Sequence, residues 1–206
     1  MRVTQIFESL QGEGHLSGLF QCFVRVAGCS VVCPIRKECD EPESLKFTAG
    51  RDWEPAALAK EVLGRVGRRG WCHITGGEPT QQADLDDFLR ELSALDMHIH
   101  IQTSGVNRIG SRWDWLTVSP KCKPDELAQN SGQELKLINH PDIFHDVGSL
   151  RGWHQSTKFW DYYIQPLWLP DGSSNIKQTA ELVMEANRAG LPYRMTMQAH
   201  KYWGVQ

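Results

Sequence analysis

Three cysteines lie within eleven positions of this sequence, at Cys29, Cys33 and Cys39. In a chain with its own apolar core and no export signal, such a cluster indicates metal binding or catalysis more than disulfides. A structural zinc site uses four ligands. Three thiolates on a 4Fe–4S cluster would leave one iron open to a ligand from outside the protein. The spacing alone leaves an iron–sulfur cluster, a zinc loop and incidental buried thiols as alternatives.

A second group of chemically capable residues follows predicted strands. Gly76, Gly77 and Glu78 come directly after the predicted strand at 71–75, and glycine leaves the backbone open to close approach by an amine or a carboxylate. The motifs TSG, SPK and QP follow three further predicted strands. Because the carboxyl ends of parallel strands meet at one edge, these motifs predict a single ligand site there.

The elements that must position these residues alternate between strand and helix patterns, which is typical of parallel βα units. A complete eight-unit barrel needs about 250 residues, and the chain has 206. We therefore predict an α/β fold in the form of a partial, open parallel βα barrel, with an open doubly wound sheet as the alternative. We expect residues 1–206 to form a single domain, and the Trp-rich segment 153–160 to be a solvated loop. The predicted strands are 21–28, 71–75, 98–103, 115–118, 134–138, 162–165 and 193–198, and the predicted helices are 54–66, 84–95 and 176–189.

Composition excludes several classes of protein. The apolar fraction of 40% is enough to bury a core. The net charge of −3 offers no basic footprint, so nucleic acid is not an expected partner. No run approaches the roughly 18 apolar residues of a membrane span. The first residues lack the apolar run of a signal peptide, so we expect a cytoplasmic protein.

Nine short motifs together carry a resemblance to a known family. In this order and position, the sequence resembles radical S-adenosylmethionine enzymes and, among them, the 7-carboxy-7-deazaguanine synthase family. The resemblance implies a partial barrel, a 4Fe–4S cluster, S-adenosylmethionine, Mg²⁺ and conversion of 6-carboxy-5,6,7,8-tetrahydropterin to 7-carboxy-7-deazaguanine with loss of ammonia. It also implies a homodimer and a reductant protein such as flavodoxin. The motifs are SLQGEG (9–14), FVRVAGC (23–29), CDE (39–41), ITGGEP (74–79), QTSG (102–105), VSPK (118–121), ELKLI (134–138), QP (165–166) and QAHKYWGV (198–205).

The resemblance also implies roles for individual residues. Cys29, Cys33 and Cys39 would each ligate one iron, and S-adenosylmethionine would bind the fourth. The residues expected to hold that cofactor are Glu38, Asp40, Gly77, Glu78, Thr103, Ser119, Pro120, Lys121, Gln165, Pro166, Leu167 and Trp168. The residues expected to contact the pterin are Leu10, Gln11, Gly12, Glu13, Gly14, Arg25, Thr75 and His200.

Three of these roles have a structural alternative. Glu78 could be a carboxylate stabilised at a helix N-terminus. Arg25 could form a structural ion pair in place of contacting a substrate carboxylate. His200 could be an ordinary surface histidine.

The sequence departs from the family pattern at three places. The gap between Cys33 and Cys39 holds five residues where the family usually has two, and Glu38 replaces an aromatic residue. Glu41 replaces the threonine expected to ligate Mg²⁺, and we predict that its carboxylate takes over that task. Gln102 stands where the family often has glutamate. Other functions in view are another radical S-adenosylmethionine activity, such as an activase, and a non-catalytic zinc-binding module.

Overall fold

A single sheet of nine strands is the frame of the part of the chain that the structure describes. The structure is a computed structural model that describes residues 1–110, 112–169 and 171–206. The strand order across the sheet is β3-β1-β2-β4-β5-β6-β7-β8-β9, with unpaired edges at β3 and β9. The strands are β1 (Arg2–Leu10), β2 (Phe20–Val26), β3 (Arg51–Asp52), β4 (Trp71–Gly76), β5 (His98–Thr103), β6 (Trp115–Val118), β7 (Ser131–Ile138), β8 (Lys158–Gln165) and β9 (Tyr193–Met195).

The strands β2 and β4 to β9 run parallel. At one edge, β1 pairs antiparallel with β2, and β3 pairs antiparallel with β1. This arrangement confirms the predicted partial, open parallel βα barrel. Strand β1 was not predicted, and β9 ends at Met195, three residues before the predicted end.

The longer helices pack on one face of the sheet, and the short C-terminal helix lies on the opposite face. The helices are α1 (Pro55–Val66), α2 (Leu85–Ala94), α3 (Val147–Ser156), α4 (Ile176–Arg188) and α5 (His200–Trp203). Proline at the first turn suits the start of α1, because its missing N–H would have no partner there. Helix α2 buries Leu85, Phe88 and Leu89 at helical spacing. None of the helices in the described ranges has the length and apolar character that crossing a membrane requires.

The prediction of a solvated loop at 153–160 is wrong. Residues up to Ser156 belong to α3, and the segment from Lys158 onwards belongs to β8. The Asp146 side chain accepts the Ser149 backbone N–H at 2.7 Å, which fixes the start of α3. The indole of Trp153 is fully buried and donates its N–H to the Ile143 carbonyl at 3.2 Å. The packing of this indole stabilises α3, and the local composition of the sequence gives no sign of that packing.

Side chains along the parallel strands alternate between a packed apolar face and a mixed face that carries the polar groups. Side chains such as Val24, Ile74 and Ile101 belong to the buried core that also contains the apolar faces of the helices. The alternate positions carry polar groups, among them Arg25 and Thr75, which line a cavity. The longer helices supply the packing on one face, and the opposite face, called the inner face below, is free to build a site.

Candidate active site

A cavity of about 470 Å³ opens on the inner face at the carboxyl ends of the parallel strands. Its volume lies in the range of small-molecule sites. Nearly all of the residues predicted for the site line it. From the cluster loop and its surroundings these are Cys29, Cys33, Cys39, Glu38, Asp40 and Glu41; from the predicted cofactor set Gly77, Glu78, Thr103, Ser119, Lys121, Gln165, Pro166, Leu167 and Trp168; and from the predicted substrate set Leu10, Gln11, Gly12, Glu13, Arg25, Thr75 and His200.

Two of the predicted residues do not line the cavity. The backbone N–H of Gly14 donates to the Thr196 hydroxyl at 2.7 Å, and a Cβ at Gly14 would overlap the Glu134 carboxylate. Pro120 is buried between Ser119 and Lys121. Gly14 therefore has a packing role, and neither residue is part of the cavity lining.

The three cysteines have free, partly exposed thiols on one loop. The loop is anchored by the Cys29 N–H, which donates to the Leu45 carbonyl at 3.2 Å, and is folded by the Cys39 N–H, which donates to the Arg36 carbonyl at 3.4 Å. Burial is the main cause that raises the pKa of the thiols of Cys29 and Cys39, and the charge of Cys33 adds to the rise. The inserted residues between Cys33 and Cys39 thus form turns that leave all three thiols at the cavity.

The thiols are not gathered around one point. Within the described ranges, no three His, Cys, Asp or Glu side chains are close enough together to hold one metal ion. A mononuclear zinc site needs such convergence. A 4Fe–4S cluster places each thiolate on a different iron, so its ligands are spread around a larger group. Three free thiols on one loop at the edge of a cavity therefore fit the donor set of a cluster.

Both carboxylate oxygens of Glu78 accept hydrogen bonds. The donors are the Thr80 N–H at 3.0 Å, the Thr103 hydroxyl at 2.5 Å and the Ser104 N–H at 2.8 Å. The hydroxyls of Thr80 and Ser104 donate as well. Glu78 caps the short 3₁₀ helix Pro79–Gln81, as the structural alternative proposed. It also ties the end of β4 to the end of β5, and a contact with a cofactor stays a prediction.

Gly77 is a point of close backbone approach. Its N–H donates to the Val26 carbonyl at 2.8 Å, and the Glu78 N–H donates to the Gly28 carbonyl at 2.9 Å. A Cβ at Gly77 would overlap the carbonyl oxygen of Gly28 and crowd that of Ser44. The absence of a side chain lets the cluster loop lie directly on the end of β4, which brings the thiols and the Gly-Gly turn to one cavity.

The SPK motif supplies a buried ammonium. Lys121 donates to the backbone carbonyl of Ser119 at 2.7 Å and to its hydroxyl at 2.9 Å. Burial lowers the pKa of Lys121. An ammonium has three N–H donors, so one is left for a ligand in the cavity.

An ion pair that the sequence did not predict lies in the cavity wall. Lys136, on β7, donates to the carboxylate of Glu13, and their side chains are only 2% and 10% exposed. Gln165 donates to the same carboxylate at 3.2 Å. Burial alone would raise the pKa of Glu13, but the charge and hydrogen bond of Lys136 outweigh it and the pKa is lowered. The sequence feature that could have pointed to Lys136 was its place as a charged residue between two leucines of the predicted strand 134–138.

The C-terminal motif packs against the Gln-Gly-Glu-Gly turn. The Ala199 N–H donates to the Gly12 carbonyl at 2.8 Å, and a Cβ at Gly12 would overlap the His200 ring. His200 is half-buried, and burial lowers the pKa of its imidazole. The surface alternative for His200 is therefore wrong, since the ring lies in the cavity wall.

Two buried histidines, also missed from the sequence, stack with ring centroids 3.9 Å apart. His73 lines the cavity, and its Nδ1 lies 3.3 Å from the Gln11 amide nitrogen. His100 lies 3.1 Å from the Gln21 amide oxygen and 3.0 Å from the Thr117 hydroxyl. Burial lowers the pKa of both, to about 3 for His100. Their signal was the alternation of histidine with apolar residues along two predicted strands.

Arg25 has a protein carboxylate as its partner. Its guanidinium lies 2.6 Å from the carboxylate of Glu41, donates to the Gln5 amide oxygen at 2.8 Å and lies 4.8 Å from the centre of the Phe7 ring. Burial raises the pKa of Glu41, and Arg25 counteracts part of that rise. The structural alternative for Arg25, an ion pair, is thus present in the structure.

Comparisons with known proteins show which proteins the chain is similar to. No protein-family model matches the chain. The chain is 32% identical over 226 residues to a 7-carboxy-7-deazaguanine synthase from Nitratidesulfovibrio vulgaris, which covers 99% of this chain and 98% of the relative. It is 30% identical over 208 residues to the enzyme of that name from Synechocystis sp., covering 99% and 93%. Among solved structures, "Crystal structure of QueE from Escherichia coli" superposes with a TM-score of 0.70 at 24% identity, covering 97% of this chain and 94% of that one, a likeness that concerns the fold.

Proposed function

Because the chain belongs to the 7-carboxy-7-deazaguanine synthase family, we propose that it converts 6-carboxy-5,6,7,8-tetrahydropterin to 7-carboxy-7-deazaguanine with loss of ammonia. The family makes the chain an enzyme of the lyase class. The observation that carries the proposal is one shared cavity: the three cysteines line the same cavity as Gln11 and Thr75, which are residues suited to the edge of a pterin.

The cofactors of this reaction are a 4Fe–4S cluster and S-adenosylmethionine, which together supply the one-electron chemistry when bound. Cys29, Cys33 and Cys39 would hold the cluster. The residues that would hold S-adenosylmethionine are Glu38, Asp40, Gly77, Ser119, Lys121, Gln165, Pro166, Leu167 and Trp168, with Glu78 and Thr103 as supports behind them. The free N–H of Lys121 and the bare backbone of Gly77 are the contacts with the clearest physical support.

The pterin would be oriented by groups whose own directions are already fixed. The Gln11 amide oxygen accepts the Glu13 N–H at 3.2 Å, which directs the amide nitrogen towards His73. Lys136 donates one of its three N–H groups to Glu13, and two remain for the substrate. Leu10, Gly12, Glu13, Arg25, Thr75 and His200 complete the substrate wall, and Gly14 supports it from behind.

Magnesium at Glu41 has less support than the other two cofactors. The Glu41 carboxylate is held by Arg25 at 2.6 Å, and the Asp40 carboxylate accepts the Gln198 amide at 2.9 Å.

Four further proposals rest on the family or on the sequence: a single domain over residues 1–206, a homodimer, a flavodoxin-type electron donor and a cytoplasmic location.

An anaerobic assay tests the function. The reconstituted protein is incubated with 6-carboxy-5,6,7,8-tetrahydropterin, S-adenosylmethionine and dithionite, and the products are identified by mass spectrometry. We expect 7-carboxy-7-deazaguanine and ammonia in equal amounts. Cleavage of S-adenosylmethionine without this product would indicate another radical activity, such as an activase. A colourless protein that takes up zinc and no iron would indicate a zinc-binding module.

A further inference from the structure

Glu41 stands at the sequence position where the family resemblance implies a magnesium ligand, and in the structure its carboxylate pairs with Arg25. Both side chains line the cavity and are only 19% and 28% exposed. Glu41 follows the last cysteine of the cluster loop by two residues, and Arg25 projects from the inner face of β2. The Gln5 amide and the Phe7 ring hold the guanidinium in place, so the pair is fixed on more than one side.

The surroundings of Glu41 do not match what Mg²⁺ requires. Mg²⁺ takes near-octahedral oxygen ligands at about 2.0–2.1 Å. The guanidinium lies 2.6 Å from one Glu41 oxygen and so takes up that oxygen, which such an ion would otherwise use. The neighbouring carboxylate of Asp40 is directed to Gln198. Within the described residues, no third acidic or histidine ligand joins them. A divalent ion at Glu41 would have to displace Arg25 or bind beside its positive charge.

We infer that Arg25 is the resident cation of this site and that the Arg25–Glu41 ion pair takes the place of a divalent metal. A guanidinium keeps its charge at all physiological pH values and has five N–H donors in a rigid plane. Arg25 uses one donor on Glu41 and one on Gln5, so others remain for an anionic group of the substrate. The inference rests on the proposed function for the identity of that substrate, while the identity of the cation stands on the geometry of the pair.

The test uses Mn²⁺ as a spectroscopic probe for Mg²⁺, since both prefer oxygen ligands. The cluster-loaded enzyme with S-adenosylmethionine is titrated with Mn²⁺, and free Mn²⁺ is followed by electron paramagnetic resonance. We expect no bound Mn²⁺ in the wild type and one per chain in Glu41→Thr, which releases the guanidinium and offers a hydroxyl. Glu43→Thr is the matched control, because Glu43 is exposed and paired only with Lys46 among the described residues.

Turnover in EDTA gives the second readout. We expect the wild-type rate to be unchanged by EDTA, whereas Glu41→Thr falls about tenfold or more and recovers with Mg²⁺, the scale on which metal sites respond to altered ligands. Binding of one Mn²⁺ by the wild type that Glu41→Gln abolishes, or a wild-type rate that EDTA removes and Mg²⁺ restores, would overturn the inference. If the proposed function were wrong, no deazaguanine would form in any arm, but the Mn²⁺ titration would still report on the ion pair.

Discussion

Replacing Lys136 by methionine removes one half of the buried ion pair in the cavity wall and leaves the Glu13 carboxylate without its cation. Removing one partner of a buried pair costs about 3–5 kcal/mol. The Lys136 and Glu13 side chains are 2% and 10% exposed, so water cannot readily replace the ammonium. Gln165 still donates to Glu13 at 3.2 Å. We therefore expect a loss at the lower end, about 3 kcal/mol of the free energy of unfolding.

Urea denaturation at pH 7, followed by circular dichroism on protein without its cluster, measures this loss. With a slope of about 2–3 kcal/mol per molar urea, the midpoint should fall by about 1–1.5 M. The double variant Glu13→Gln/Lys136→Met removes both charges and should recover most of the loss. Lys46→Met is the matched control, since its partner Glu43 is exposed and such surface pairs contribute little.

The pH dependence follows from the lowered pKa of Glu13. A carboxylate with a lowered pKa in the folded state stabilises the fold above its ordinary pKa of about 4.3, and this stabilisation is lost as the pH falls through the lowered value. The advantage of the wild type over the double variant should therefore shrink below about pH 4. The reasoning fails if Lys136→Met unfolds at the wild-type midpoint, or if the double variant is no more stable than the single one.

Three further predictions concern the cluster, the backbone and the buried histidines. Cys33→Ala should lose S-adenosylmethionine cleavage and iron uptake while keeping its circular dichroism spectrum, whereas Cys122→Ala, outside the cavity wall, should keep all three. Gly77→Ala should lower the free energy of unfolding by about 1–3 kcal/mol, because the new Cβ would overlap backbone atoms. Gly64→Ala, within α1 and in open space, should raise it by up to about 1 kcal/mol. Calorimetry of the two variants measures both changes. His100, whose pKa is lowered to about 3, binds a proton more readily when unfolded, so stability should fall from pH 6.5 towards pH 3. His100→Gln should show a smaller fall in melting temperature between pH 7 and pH 5.

The sequence predicted best those elements whose pattern is local. Strands β5 and β6 begin and end where alternation placed them, because buried aliphatic residues occupy every second position, Ile99 and Ile101 in β5 and Leu116 and Val118 in β6. Strand β1 escaped prediction because it is an antiparallel strand near the edge of the sheet with only two buried positions, Val3 and Ser9. Helix α3 escaped because its two glycines weaken the local signal and Trp153 stabilises it through packing.

The site was predictable where a residue type defines its own chemistry. Cysteine thiols and a Gly-Gly turn can be recognised in a sequence from the residue types alone. The partner of a charged side chain depends on which strands pair, and that is set by the whole sheet. Lys136 meets Glu13 across 123 positions of sequence, a pairing that no short motif encodes.

The alternation of side chains along the parallel strands also assigns core packing and cavity lining to different residues. Ile74 and Ile101 keep the chain folded, while their neighbours Thr75 and Gln102 face the cavity and carry no share of the helix packing. A directed-evolution library restricted to Thr75 and Gln102, and leaving the Lys136–Glu13 ion pair intact, could therefore search for altered heterocycles while sparing the melting temperature.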